Sequence, residues 1–150
     1  MTELQKLSAQ DLQTMIENDP DHLLVLDTRS PPEFTQNHIP KSLFIPLVPP
    51  FEKWVKFFIE TDKKIALVTP EDKLQDAQTR LASAGYTNLA GYLEGGFQSW
   101  VTAGFSTDSI DTITYNTAEE FEQQVKNKLV LDVRQPNECK QSQCYPDGKW

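Results

Sequence analysis

Leu24–Phe34 reads LVLDTRSPPEF, and the phrase returns at Leu129–Cys139 as LVLDVRQPNEC. A self-similar phrase that recurs after roughly a hundred residues marks two copies of a domain-sized unit, because solenoid repeats recur every 20–50 residues or so. In each copy an apolar run of strand length is left through turn and cap residues. Such short continuous runs, buried on both faces, suit a parallel sheet. The chain ends at Trp150, so the second copy is expected to be cut off soon after it begins.

Outward from that phrase the chain alternates strand-like and helix-like segments. Apolar runs of strand length lie at Leu23–Leu26, Ile65–Val68 and Leu129–Val133. Phe51, Trp54, Val55, Phe58 and Ile59 fall on one helical stripe behind Pro49 and Pro50, and the spacing predicts that this stripe packs on the sheet. Leu74, Ala77, Leu81 and Ala84 form another stripe, which stops at Gly85. Ser30 with Glu33 makes a capping box with Pro31 at the first helical position, and Thr117 with Glu120 repeats the box in the second copy. Residues 104–116, GFSTDSIDTITYN, are polar and turn-rich and are expected to link the copies. The expected division is therefore a domain over 1–106, with 107–150 as linker and truncated second copy.

A chain of 150 residues with 38% hydrophobic content can bury one ordinary core. Its net charge of -8 argues against nucleic acid or an anionic membrane as partner, since both would be repelled. The N-terminus MTELQKLSAQDLQ lacks a basic segment followed by an apolar run, and no apolar stretch approaches the roughly 20 residues that span a bilayer. A cytosolic protein is expected. Cys139 and Cys144, the only cysteines, both lie in the final tail and make no disulfide framework for the body. With only His22 and His38 beside them, no zinc site of the usual ligand count can be assembled.

LLVLDTRSPPEF followed by HIPKS at His38–Ser42, then an apolar strand and helix, then GYTNLAGYLEGGFQSW at Gly85–Trp100, resembles a rhodanese-like domain from Leu7 to about Gly104. The resemblance implies an α/β, three-layer fold with a parallel sheet of about five strands and helices on both faces. FIPLVPPFEKWV and KIALVTPEDK are more particularly similar to the tandem rhodanese modules that follow a metallo-β-lactamase-fold domain in bacterial persulfide dioxygenase and rhodanese fusions. No H-x-H-x-D-H string occurs, so that domain's metal chemistry is not inherited, and no cofactor is implied.

What the resemblance implies for chemistry depends on one loop. An active rhodanese carries a cysteine at the end of the central strand, followed by a loop whose N–H groups cradle the bound sulfur and its anionic donor. The thiolate attacks a sulfane sulfur, holds it as a persulfide and passes it to cyanide or a thiol; amide dipoles and a helix N-terminus lower its pKa. The matching passage here, Ile65–Leu74, reads IALVTPEDKL, without cysteine, glycine or arginine. Thr69 is expected to cap the following helix, with Pro70 in its first position and Glu71 and Asp72 in its first turn, ahead of Lys73 and Leu74. Those carboxylates would raise a thiol's pKa and repel thiosulfate. A threonine nucleophile would need a base within hydrogen-bond reach, and the local sequence offers only acidic caps. The domain is expected to be inactive as a sulfurtransferase.

The other motif residues carry structural expectations. Arg29 can pair with Glu33 across one helical turn, and Asp27 can accept backbone N–H bonds in its own turn. His38 is expected to serve in a turn or in packing, with no nucleophile to assist as a base. Gly95 and Gly96 predict a tight turn into a short helix whose Trp100 packs on the sheet; the alternative is a place beside the mouth of the family's active site.

Aligning the repeats sets Cys139 opposite Phe34 and Cys144 opposite Ile39, upstream of the family's nucleophile, so neither inherits its role. The stretch ECKQSQCYPDGKW also lacks the HIP block, which suggests an altered or frameshifted end of a longer gene. Strand Leu129–Val133 is then expected to add to a sheet edge, pair with another chain or stay partly disordered. A protein partner or self-association is expected, and a chain ending near Ser106 should be monomeric. Two functional readings stand. One is a non-catalytic docking or structural module of sulfur metabolism. The other is a sulfurtransferase or persulfide carrier that uses Cys139 or Cys144, where the C-x4-C spacing could close a disulfide after transfer.

Overall fold

Strand β4 is Lys64–Val68, and its side chains alternate between two cores. Ile65 and Leu67 enter a cluster with Phe51, Val55, Ala77 and Leu81. Ala66 and Val68 enter another with Leu12, Val25, Leu93 and Trp100. A strand buried on both faces is what its unbroken apolar run predicts.

The computed structural model describes residues 3–110, together with Glu119 and Gln123. The chain divides into two units, Met1–Thr112 and Ile113–Trp150, and the architecture below is that of the first. The expected strand at Leu129–Val133, the expected Thr117–Glu120 box, Cys139 and Cys144 lie outside the described residues.

The elements run β1 (Lys6–Leu7), α1 (Ala9–Asn18), β2 (Leu23–Asp27), α2 (Pro31–Gln36), β3 (Leu43–Phe44), α3 (Phe51–Phe58), β4, a 3-10 turn (Glu71–Lys73), α4 (Leu74–Ser83), β5 (Leu89–Leu93) and α5 (Phe97–Thr102). The five strands form one sheet in the order β1-β5-β4-β2-β3, and every pairing is parallel. Parallel neighbours need crossovers, which places α3 and α4 over one face, with residues in the first cluster, and α1 and α5 over the other, with residues in the second. The expected α/β architecture with helices on both faces is what the molecule adopts.

Local sequence fixes the helix ends. The Ser30 hydroxyl accepts from the amide of Glu33, and the Glu33 carboxylate accepts from the amide of Ser30 at 3.2 Å, so α2 starts in the expected capping box. Ser8 and Asp11 form a second box at the start of α1. Helix α4 closes with the Gly85 amide donating to Ala82 and the Tyr86 amide to Leu81. That is a Schellman turn, and Gly85 takes the φ of 96° it requires. The Tyr86 hydroxyl then donates to the Ile59 carbonyl and ties this corner to the end of α3.

Two expectations about extent are corrected. Phe51, Val55 and Ile59 are buried, but Trp54 and Phe58 of the same expected stripe are exposed, as is Phe57. The sheet-facing line follows an i, i+4, i+8 spacing. Beside it the sheet ends at β3, two residues long, so the flank holding Trp54 and Phe58 is left uncovered. Nor is the chain after Gly104 a free linker. Ser106 O accepts from the Trp100 indole at 2.9 Å, Asp108 and His38 exchange two backbone bonds, and the Ile110 amide donates to Thr35 O. The stretch through Ile110 is bonded to the first unit. No helix among the described residues is long and apolar enough to cross a membrane.

Candidate functional site

From the central pair β2 and β4, the chain runs through α2 to β3 on one side of the sheet and through α4 to β5 on the other. In open parallel sheets such a reversal opens a crevice at the carboxyl ends of the two strands. The residues that follow β2 and β4 are Thr28–Ser30 and Thr69–Glu71. A cleft of about 470 Å³ lies there. Its walls are Arg29 from the β2–α2 turn, Glu33 from the first turn of α2, Val68, Thr69 and Pro70 from the end of β4, and Gly95, Gly96 and Phe97 from the turn into α5.

Thr69 is 1% exposed, and its hydroxyl lies 2.8 Å from that of Thr28. Directly behind, the Thr28 amide donates to Val68 O at 3.1 Å. The expected role of Thr69 as a helix cap is therefore corrected. Pro70 is extended, with ψ at 141°, and opens a 3-10 turn over Glu71–Lys73 without any side-chain cap; α4 follows from Leu74. The direct strand-to-capped-helix passage is replaced by this uncapped turn because the Thr69 hydroxyl is already engaged across the sheet.

Electrostatics at the cleft are closed on themselves. Asp27 is fully buried. Its carboxylate accepts from the Arg29 amide at 3.0 Å and from Arg29 Nε and Nη2 at 3.0 and 2.7 Å. The same Nη2 donates to Asn37 O at 2.7 Å, and the guanidinium lies 4.2 Å from the centroid of Phe97. The expected reception of a backbone N–H by Asp27 is observed. The expected Arg29–Glu33 pair is not, because Glu33 is held by the Ser30 amide and Asp27 offers a two-oxygen face to the guanidinium fork. Arg29, the cation that lines the cleft, is thus neutralised by a buried carboxylate.

His38 is 8% exposed. Its ring stacks on Phe34 with centroids 4.0 Å apart, and its Nδ1 lies 2.8 Å from Phe34 O. A carbonyl only accepts, so Nδ1 carries the proton. With its backbone bridged to Asp108, the histidine is a packing and turn residue. Gly95 and Gly96 take φ of 77° and 69° and deliver α5, whose Trp100 is 1% exposed in the second core. Both glycines also line the cleft.

The arrangement offers a buried hydroxyl bonded to another hydroxyl, a neutralised guanidinium, and a loop that begins with a residue lacking an N–H and continues with Glu71 and Asp72. Hydroxyl nucleophiles are activated by an adjacent base. Among the described residues, the partner of Thr69 Oγ1 is Thr28 Oγ1. Thr28, Asn37 and Phe97 are the site residues that sequence reasoning missed. Thr28 alone carried a signal, as the residue between Asp27 and Arg29.

A family model of the rhodanese-like domain matches residues 8–103, more than half of the chain. Among solved structures, the rhodanese-like domain of a protein from Anabaena sp. superposes with a TM-score of 0.60 at 20% identity, covering 79% of this chain and 92% of that one. A rhodanese-related protein from Thermoplasma volcanium gives 0.52 at 28% identity, covering 71% and 98%. A single-domain sulfurtransferase from Saccharomyces cerevisiae gives 0.56 at 22% identity, covering 69% and 94%. No curated protein matches the sequence significantly.

Proposed function

This chain belongs to the rhodanese-like domain family, and we propose that it is a non-catalytic member, a docking or structural module from a protein of persulfide or thiosulfate metabolism. One observation carries the reading. At the end of β4, where the family chemistry needs a thiolate inside a ring of N–H donors, stands Thr69, buried and bonded to Thr28. Pro70, Glu71 and Asp72 follow it in a 3-10 turn. Sulfane-sulfur transfer begins with a nucleophile that can hold the sulfur as a persulfide, and a threonine hydroxyl cannot. The fit of FIPLVPPFEKWV and KIALVTPEDK to modules fused behind a metallo-β-lactamase-fold domain supports sulfur oxidation as the setting.

The test is cyanide-dependent thiocyanate release from thiosulfate by the full chain, with intact mass read for an added sulfur, beside a Cys139→Ser, Cys144→Ser double variant. Neither turnover nor adduct is expected. Multiple turnovers abolished in the double variant would overturn the proposal and establish the tail cysteines as sulfur carriers.

A further inference from the structure

Trp54, Phe57 and Phe58 on α3 are 41%, 74% and 56% exposed. The rings of Trp54 and Phe58 stack with centroids 5.9 Å apart, and Phe57 meets Phe58 edge-on at 4.9 Å. Next to them is a recess of about 270 Å³ lined by Phe44, Ile45, Pro46, Trp54 and Phe58. Contiguous apolar surface of this kind marks interaction sites on soluble proteins, and aromatic residues are enriched at interface centres. The recess is below the range of about 300–1,000 Å³ usual for small-molecule pockets and fits an anchoring side chain. Strand addition at this edge is disfavoured, because β3 is two residues long.

Charge identifies the occupant. The aromatic face is bordered by Lys53, whose ammonium sits 5.9 Å from the Trp54 ring centroid, with Lys56 three residues further along the same helix, both exposed. Among the described residues neither lysine forms an ion pair, whereas Glu52 of the same helix is taken by Arg80 and Glu60 by Lys63. On a chain of net charge -8 this is a positively rimmed apolar patch. A second copy docked face to face would bring its own Lys53 and Lys56 to the same seam and add positive charge where a complementary partner would bring negative charge.

We propose that the exposed face of α3 is the docking surface for an acidic segment of a partner protein, with an aromatic or aliphatic anchor in the recess between Phe44 and Trp54 and carboxylates against Lys53 and Lys56. This deepens the docking-module reading and rests on it for its biological sense.

The experiment titrates the full chain into a fluorescein-labelled synthetic peptide with leucine and phenylalanine set among aspartates and glutamates, read by anisotropy, with a lysine-flanked version of the same apolar residues as control. Saturable binding of the acidic peptide is expected. It should weaken about tenfold or more in Trp54→Ala and in Phe58→Ala. In the Lys53→Glu, Lys56→Glu double variant, which keeps the aromatic face, it should weaken likewise and lose much of its salt dependence. Circular dichroism reads the fold of each variant. No binding, equal binding of the control peptide, or affinity unchanged in all folded variants would overturn the proposal. So would light scattering showing a dimer that Trp54→Ala disperses, because a second copy would then occupy the face. Thiocyanate turnover would remove the non-catalytic reading and leave the peptide result standing; absent peptide binding would leave the inactive site as it is.

Discussion

The hydroxyls of Thr28 and Thr69, 2.8 Å apart and buried, join the carboxyl ends of β2 and β4 at the point where the chain reverses its direction of travel across the sheet. That bond fills the place where the family chemistry needs a free, activated nucleophile. Thr69 is thereby a cross-strand tie, which adds a structural reason to the chemical one for the non-catalytic reading proposed above.

On that reading, replacing the hydroxyl alone should not confer sulfur transfer. In Thr69→Cys the thiol is buried, faces the Thr28 hydroxyl and is followed by Pro70 and two carboxylates, conditions that keep a thiol at or above its ordinary pKa of about 8.5. The expected outcome is no thiocyanate turnover and an alkylation rate that rises only above about pH 8. An alkylation midpoint below about pH 7 with turnover would show that the cradle survives.

Asp27 and Arg29 form a pair with 1% and 11% of their side-chain surface exposed. Removing one partner of such a pair strands the other charge, at a cost of about 3 kcal/mol or more. Asp27→Ala should therefore lower the urea midpoint well below that of Glu33→Ala, which loses only its half of a capping box, about 1 kcal/mol or less. Equal midpoints for the two variants would mean that Arg29 rehydrates freely once its partner is gone.

The elements that repeat a simple period are legible in the sequence. The runs at Leu23–Leu26 and Ile65–Val68, the Ser30–Glu33 box and the Gly85 stop all encode local geometry, and each is found where its residues place it. What escapes is decided across the sheet. Thr28 and Thr69 are 41 positions apart, and no local pattern announces their meeting. Arg29 had two carboxylates within reach, and the choice fell to Asp27 because the Ser30 amide holds Glu33. Trp54 and Phe58 fit the helical stripe, yet whether a stripe is wholly covered depends on how far the sheet extends beside it.

Gly91 in β5 has a φ of 141°, and a Cβ built there would lie 2.3 Å from the Gln5 carbonyl oxygen. The clash is with backbone, so the neighbour can yield only by moving β1. Gly91→Ala should cost about 1–3 kcal/mol or more and raise hydrogen exchange at Tyr92 and Glu94, whose amides donate to Gln5 and Leu7. Unchanged exchange at those two amides would show that the methyl is accommodated without displacing β1 from β5.

Glu52 and Arg80 tie α3 to α4 through a two-point contact at 2.7 and 3.2 Å. Hydrogen bonding to Arg80 holds the Glu52 carboxyl below its ordinary value, and Arg80 is raised in turn by Glu52. A depressed carboxylate contributes stability above its unfolded-state pKa, and that contribution is lost as pH falls through the folded value. The stability difference between wild type and Glu52→Gln should therefore be present at neutral pH and shrink as pH drops below the usual glutamate range. A difference that stays constant through the acid limb of a urea titration would assign it to packing of Arg80 over Phe51.

The end of the folded unit gives the last test. Asp108 exchanges two backbone bonds with His38, at 2.8 and 2.9 Å, and the Ile110 amide donates to Thr35 at 2.8 Å. A chain ending at Ser106 forfeits all three bonds and leaves the buried His38 backbone to find water. A chain ending at Thr112 keeps them. At about 0.5–1.5 kcal/mol for each net hydrogen bond, the shorter chain should be less stable by roughly 2–4 kcal/mol and unfold at lower urea, although it removes only six residues more. Light scattering on both chains then tests self-association separately from stability. If the two unfold at the same midpoint, the 107–110 stretch adds nothing, and the boundary read from the turn-rich composition after Gly104 is the physical one.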